Sequence, residues 1–425
     1  MGTGVAGLVA AHRLRSRHDL TIFEADARTG GHANTVDVEL DGVHHAVDTG
    51  FIVYNEANYP GFVALLDELG VATQPTTMSF GVSDPRTGLE YRGSNLGSLF
   101  AQRRNLANPR FLRLLADVVR FNRAAHRLVA DEQVWSGADR LSAPMVDDES
   151  IEAFLRRGHY SNRFVGQFLV PFGAAIWSAD PAAFTQFPMR SYARFMHNHG
   201  LLGVAARTEW RTITGGSRRY LDALTAPFAD RIRLASPVHK IVAAPYPNGD
   251  PSVELLTDAG PEWFDRVIVA THSDQALRML GDATPAERSI LGAISYQPNT
   301  ATLHTDAALL PANPRARASW NYRVDRDARR AAVTYWMNNL QRIESSRPLL
   351  VTLNGEDTVD PRTVLASFEY DHPVFDLAAM RAQRRRAEIQ GARGIAFAGA
   401  YWGYGFHEDG VQSGIEAAAA VGRRR

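Results

Sequence analysis

Cysteine is absent from this chain. Disulfides, thiolate metal sites and any group tethered through a cysteine are therefore excluded. Lysine is almost absent too: Lys240 is the single one, against many arginines. The formal net charge is zero, so no bulk attraction to nucleic acid operates and no nucleic-acid partner is expected. No apolar run approaches the ~20 residues that span a bilayer. No secretory leader pattern precedes the first motif, and a cytoplasmic location is expected. Internal repeats and low-complexity tracts are missing as well. What remains is an ordinary globular composition, 45% hydrophobic and 22% charged over 425 residues, enough for two domains with a large core.

The most informative stretch is Gly2-Thr3-Gly4-Val5-Ala6-Gly7. Gly-x-Gly-x-x-Gly makes a tight turn, lets backbone approach a pyrophosphate, and lets the next helix pack on a sheet. Residues 8–15 read as that helix and residues 20–23 as the second strand. Glu24 then stands where an acid holds the ribose hydroxyls. The motif should follow a strand, yet only Met1 precedes it. The reading frame is therefore expected to begin upstream, with a short β-branched strand.

The run after Glu24 contains Arg28, Gly30, Gly31, His32 and Thr35. Here the chain resembles the FAD-binding superfamily of amine oxidases, phytoene-type desaturases and protoporphyrinogen oxidases. The resemblance implies an α/β fold: a Rossmann-like, GR2-type FAD-binding domain interleaved with an α+β substrate domain. It also implies non-covalent FAD, with Arg28, Gly30, Gly31, His32 and Thr35 beside the second phosphate. Relatives usually carry Arg where this chain has His32, which leaves Arg28 as the fixed positive charge. The C-terminus continues the resemblance. A strand closes on Gly399, the run 401–414 looks like a bacterial subgroup of FAD-dependent oxidoreductases, and a last helix starting near Gly410 and Val411 points its positive end at the flavin. Relatives place an acid after the strand glycine; here it is Ala400. Gly50, in Asp48-Thr49-Gly50-Phe51, matches the segment passing the flavin ring, and Val238 the backbone that contacts adenine.

The expected FAD-binding domain is discontinuous: residues 1–57, 205–285 and 390–425. Residues 58–204 and 286–389 form the substrate domain. Residues 58–200 read as helical, with an amphipathic run over 105–131. Strands are expected at 232–241, 267–271, 299–305, 317–323, 331–337 and 349–353, the last four suiting an antiparallel sheet. Residues 245–251 read as a surface hairpin loop. Arg113, Arg120 and Arg127 are spaced by seven and share one helix face. A basic amphipathic helix from Arg110 to Arg127 fits weak contact with an anionic membrane surface. The plainer reading, arginine stems lying over the core, is preferred.

Pocket candidates are Trp177, His197, His199 and Tyr404. His197-x-His199 has metal spacing but lacks further ligands nearby, so no metal is expected. The resemblance places Tyr401 and His407 beside the flavin as candidate catalytic residues; as bare sequence they read equally as core aromatics. Many amine oxidases set a lysine near flavin N5, but Lys240 falls in a strand of the cofactor domain. The expected function is hydride transfer to FAD from a hydrophobic small molecule or lipid, desaturating an acyl or isoprenoid-like chain. Amine oxidation and non-redox flavin isomerisation are the alternatives.

Overall fold

The computed structural model describes residues 1–135, 149–203, 208–244, 252–324 and 332–422. The hairpin loop expected at 245–251 lies outside the described residues. Two sheets organise the chain. The first is parallel and built from short pieces: Ile22–Phe23 pairs with Ile232–Arg233, and Val267–Val269 with Ile395–Phe397. Met1 and Gly2 lie between these pairs. Gly2 N donates to Phe23 O at 2.8 Å, Met1 N to Ile268 O at 2.9 Å, and Ala270 N to Met1 O at 2.8 Å. These residues occupy the central position of the sheet, and the ladder through it is as short as they are. The second strand, expected over 20–23, accordingly narrows to Ile22–Phe23.

The first helix, Val5–Leu14, starts on Gly4, three residues earlier than expected. It packs against the last helix, His407–Gly422. Glycine permits that approach: a Cβ on Gly414 would lie 2.4 Å from Ala6 O. The last helix begins at His407, ahead of the expected Gly410, and Glu408 and Asp409 in its first turn suit a helix N-terminus.

The second sheet has seven strands, in the spatial order Val364–Val374, Ser295–His304, Leu350–Leu353, Val333–Trp336, Trp320–Arg323, Phe80–Asp84 and Leu89–Arg92. All pairs are antiparallel except Trp320–Arg323 with Phe80–Asp84. The four strands expected between 299 and 353 are present. Reading 58–200 as helical was wrong at Thr73–Thr76, Phe80–Asp84 and Leu89–Arg92, and in the last two Val82, Leu89 and Tyr91 are buried in the sheet's core. The 11-residue strand Val364–Val374 was not expected. It is an edge strand, which is where Pro373, lacking an N–H, is tolerated.

Helices Pro109–Trp135, Val170–Trp177 and Met189–Asn198 form a layer around Phe121, Phe164, Trp177 and Tyr192. Two of the cores draw side chains from the segments of both expected domains. Helix Pro60–Leu69 buries Phe62, Leu65 and Leu66 against Leu8, Tyr220 and Val411. Ala382 and Ile389 share a cluster with Val269 and Phe397. Each such Phe or Leu contributes roughly 1.5–3 kcal/mol by burial, which fixes the helices whose ends face the site.

Candidate active site

Both sheets and the helical layer enclose a cavity of about 1630 Å³. Ordinary small-molecule pockets measure about 300–1,000 Å³, so this one has room for a dinucleotide and a second ligand. At one end stand the glycines. Gly2 has φ +85°, and a Cβ there would lie 2.6 Å from Ala270 O; a Cβ on Gly7 would lie 2.0 Å from Gly2 O. Those two serve the turn and its packing. A Cβ on Gly4 would meet nothing within 4 Å, so Gly4 leaves open space before the helix. Helix Val5–Leu14 has no side-chain cap and no acid in its first turn. Its first amides are left for an anion.

Glu24 is fixed at the strand end. Its Oε2 accepts from Thr3 N at 2.7 Å and Thr3 Oγ1 at 2.5 Å, and its Oε1 from Asp26 N at 3.0 Å. Gly30 and Gly31 take φ +109° and +56°, and Gly31 packs across Gly4. Arg28 clamps this loop, donating to Gly31 O at 2.8 Å and, at longer range, to Thr29 O and Ala33 O. Arg28, Gly30, Gly31, His32 and Val238 all line the cavity. Thr35 and Val411 do not. Thr35 turns to Asp48, donating to Oδ1 at 2.6 Å, and Val411 is buried with Leu8 and Phe62.

Further along, Gly50, Gly399, Tyr401, Tyr404, His407 and Gly410 line the wall. A Cβ on Gly50 would lie 2.0 Å from His32 O. Tyr401 is buried, and its hydroxyl has no hydrogen-bond partner among the described residues. His407 is held tightly. It stacks on Phe51 with ring centroids 3.8 Å apart, and its Nε2 meets Tyr220 Oη at 2.9 Å. Desolvation pushes its pKa down to about 3, which keeps the ring neutral. Glu408 accepts from Gly61 N and Phe62 N at 2.9 and 2.8 Å and so caps helix Pro60–Leu69.

Sequence reasoning missed one wall altogether. His272, Tyr296, Tyr370 and His372 gather with His32 along the cavity. The His32 ring lies 5.6 Å from His272, 5.1 Å from Tyr370 and 5.4 Å from His372. Asn299 Nδ2 donates to His372 Nδ1 at 3.0 Å. Burial lowers the pKa of His32 and His272 to about 4 and of His372 to about 3. The available signal was the period of two between Tyr370 and His372, which puts both on one face of a strand.

Of the pocket candidates, Trp177, His199 and Tyr404 line the cavity. Trp177 Nε1 donates to Tyr404 O at 3.1 Å. His199 stacks on Phe195 at 3.9 Å, and its Nδ1 lies 2.9 Å from Phe195 O. A carbonyl can only accept, so the ring proton sits on Nδ1 and Nε2 keeps its lone pair. His197 does not line the cavity; its ring faces His126 at 5.6 Å. Lys240 stands in strand Val238–Val242, away from the lining.

A nucleotide end of this build, opening into a chamber with an aromatic wall, is the layout of an FAD-dependent oxidoreductase. The residues fit FAD. Gly4 leaves the phosphates an open approach to the helix, whose first amides have no side-chain cap. The family model for flavin-containing amine oxidoreductases matches residues 5–422, and the chain belongs to that family. A stretch of 182 residues is 27% identical to protoporphyrinogen oxidase 2, chloroplastic/mitochondrial, of Arabidopsis thaliana, covering 43% of this chain and about a third, 32%, of that protein. Cyclohexylamine oxidase from Brevibacterium oxydans IH-35A shares the fold at a TM-score of 0.69 and 16% identity, over 99% of this chain and 97% of that one. A CLA-producing fatty acid isomerase from P. acnes does so at 0.66 and 16%, over 99% and 96%.

Proposed function

We propose that this oxidoreductase removes two hydrogens across a C–C bond of an uncharged, hydrophobic chain, desaturating a lipid or isoprenoid-like substrate. One observation carries the reading. From Thr76 through Ser178 the described wall offers Met78, Phe80, Leu99, Leu115, Phe172 and Ile176, and no charged side chain. An ammonium among the side chains of this arm would lose its hydration without a counter-charge from them; the cavity's carboxylates, Glu24, Asp26, Glu209, Glu369 and Asp371, stand on other segments. An alkyl chain gains about 0.8 kcal/mol per buried methylene. The fold itself does not choose, since it serves a cyclohexylamine oxidase and a fatty acid isomerase alike.

Gly4, Glu24, Arg28, Gly30 and Gly31 hold the dinucleotide, on a turn that Gly2 and Gly7 pack against the sheet. Bound FAD supplies the hydride acceptor at N5. The chain's own residues exclude water, orient the substrate and accept the remaining proton. His199 suits the role of proton acceptor. Its Nε2 has no hydrogen-bond partner among the described residues, and desolvation holds its pKa below the usual value, so the ring is neutral near pH 7. Tyr401 and His407 shape the chamber. The test is mass spectrometry of acyl chains, isoprenoids and primary amines after incubation with the FAD-loaded protein. Loss of two hydrogens from a chain is the expected result. An aldehyde from an amine, with chains untouched, overturns the reading, and so does a chain whose double bond moves without loss of mass.

A further inference from the structure

We infer that the outer face of helix Pro109–Trp135, together with the turn Leu96–Leu99, rests on an anionic lipid bilayer, and that the cavity opens there to take an acyl chain from it. The inference rests on the desaturation reading and names the source of its substrate. Leu96 and Val119 are 75% and 47% exposed, yet both also line the cavity. The mouth therefore lies where large apolar side chains already stand in solvent. Leu112 and Leu106, 43% and 53% exposed, extend the apolar patch along the same helix and the turn before it. Leu112, Ala116, Val119 and Arg123 recur at helical spacing on one face.

The charge up to Ala130 is mostly positive, with Asp131 and Glu132 following in the helix's last turns. Between Ser94 and Ala130 there are seven arginines and a single acid, Asp117. Asp117 is buried and engaged with Arg113 at 3.4 Å and Arg120 at 2.9 Å. Arg120 also lies over the Tyr160 ring at 4.1 Å. Those two arginines serve the fold. Arg103, Arg110, Arg123 and Arg127 are exposed and have no carboxylate partner among the described residues. Arginine stems covering the core would explain a basic face alone. They do not explain exposed apolar side chains, Leu96 and Val119, placed at the rim of the cavity. Apolar side chains that enter the acyl boundary, ringed by arginines at headgroup level, are the pattern of an interfacial helix. The ligand chemistry is thus a negatively charged headgroup with its acyl chain below.

Vesicle flotation with the FAD-loaded full chain tests this, using phosphatidylcholine vesicles with and without phosphatidylglycerol. Binding should need phosphatidylglycerol and fall with salt. Each arginine neutralised should cost roughly fivefold in partitioning, so Arg123→Gln with Arg127→Gln should cost about twenty-five-fold. That variant should keep its flavin and its rate of flavin reduction by detergent-dispersed chain. Leu96→Ser with Val119→Ser should weaken binding at any salt. Equal partitioning of wild type and the arginine variant overturns the inference. So does a wild-type dimer in sedimentation that the variant abolishes, which would make the face a contact between copies. Vesicle binding requires no turnover. A protein that floats with anionic vesicles but oxidises only amines refutes the desaturation reading and leaves the lipid surface standing.

Discussion

Gly4 and Gly7 belong to one motif, yet the geometry gives them different work, and alanine separates the two. A Cβ on Gly4 meets no protein atom within 4 Å, and its φ of −64° suits any residue. Gly4→Ala should therefore leave the flavin-free protein nearly intact, costing ~0.5–1 kcal/mol because alanine is a poorer N-cap than glycine. The same methyl stands where a phosphate must approach the helix. Displacing one or two charge-assisted hydrogen bonds, each worth about 1.5–3 kcal/mol, weakens FAD binding by roughly tenfold to ten-thousandfold. Gly7→Ala reverses the pattern. Its methyl would lie 2.0 Å from Gly2 O, so helix Val5–Leu14 must move off the sheet, at a cost of about 1–3 kcal/mol or more. Thermal melts of both flavin-free variants, followed by FAD titration, separate the effects. Wild-type FAD affinity in Gly4→Ala, or a wild-type melt in Gly7→Ala, would refute this division.

Arg28→Ala should lower flavin occupancy twice over, by removing a cation near the phosphates and by releasing the Gly30–Gly31 loop that its guanidinium clamps; released flavin after acid precipitation measures it. Tyr401→Phe removes a buried hydroxyl with no well-formed hydrogen bond among the described residues, so the melt should hold or rise while substrate reduces the flavin more slowly. His407→Ala should instead lower the melt by ~2–4 kcal/mol, because it strips a ring from Phe51 and leaves the buried Tyr220 hydroxyl unpaired. Acid should act through histidine. His32, His272 and His304 are pushed down to about 4, and His372 and His407 to about 3, by desolvation. Unfolded, they take up protons near pH 6.5, so the stability they confer is present above 6.5 and is lost as pH falls toward 4. Buried Asp48 and Asp409, raised to about 6, act oppositely: their share is present at low pH and lost as pH rises through 6. Five groups against two, at ~1.4 kcal/mol per pH unit each, set an upper limit of ~4 kcal/mol per unit between pH 6 and 4. A melting temperature flat over that range contradicts it.

The nucleotide end was legible because its chemistry is local. Gly2, Gly4, Gly7, Glu24 and the Gly30–Gly31 pair each work through their own backbone or strand end, and sequence spacing carries that information. Thr35 shows the limit: its hydroxyl is captured by Asp48 and Ser217, partners set by how two distant segments meet. Val411 follows a lining glycine, but one residue along a helix is a turn of about 100° and faces the core. The wall of His32, His272, Tyr296, Tyr370 and His372 was illegible for a further reason. It depends on the register of Ser295–His304 against Val364–Val374, where Tyr296 meets Pro373 and Pro298 meets Asp371. Neither a motif nor a composition marks a register, and the edge strand carrying Tyr370 and His372 was itself unseen.

The central claim is that this flavoprotein oxidises C–C bonds in a hydrophobic chain held in an uncharged arm. Anaerobic titration of the FAD-loaded protein, watching the flavin's visible absorbance, tests it most directly. An unsaturated acyl chain or an isoprenoid should bleach the flavin stoichiometrically and yield a product lacking two hydrogens, and Phe172→Asp, which places a charge in that arm, should abolish the bleaching while flavin stays bound. Flavin bleached by primary amines and indifferent to every such chain would contradict the account.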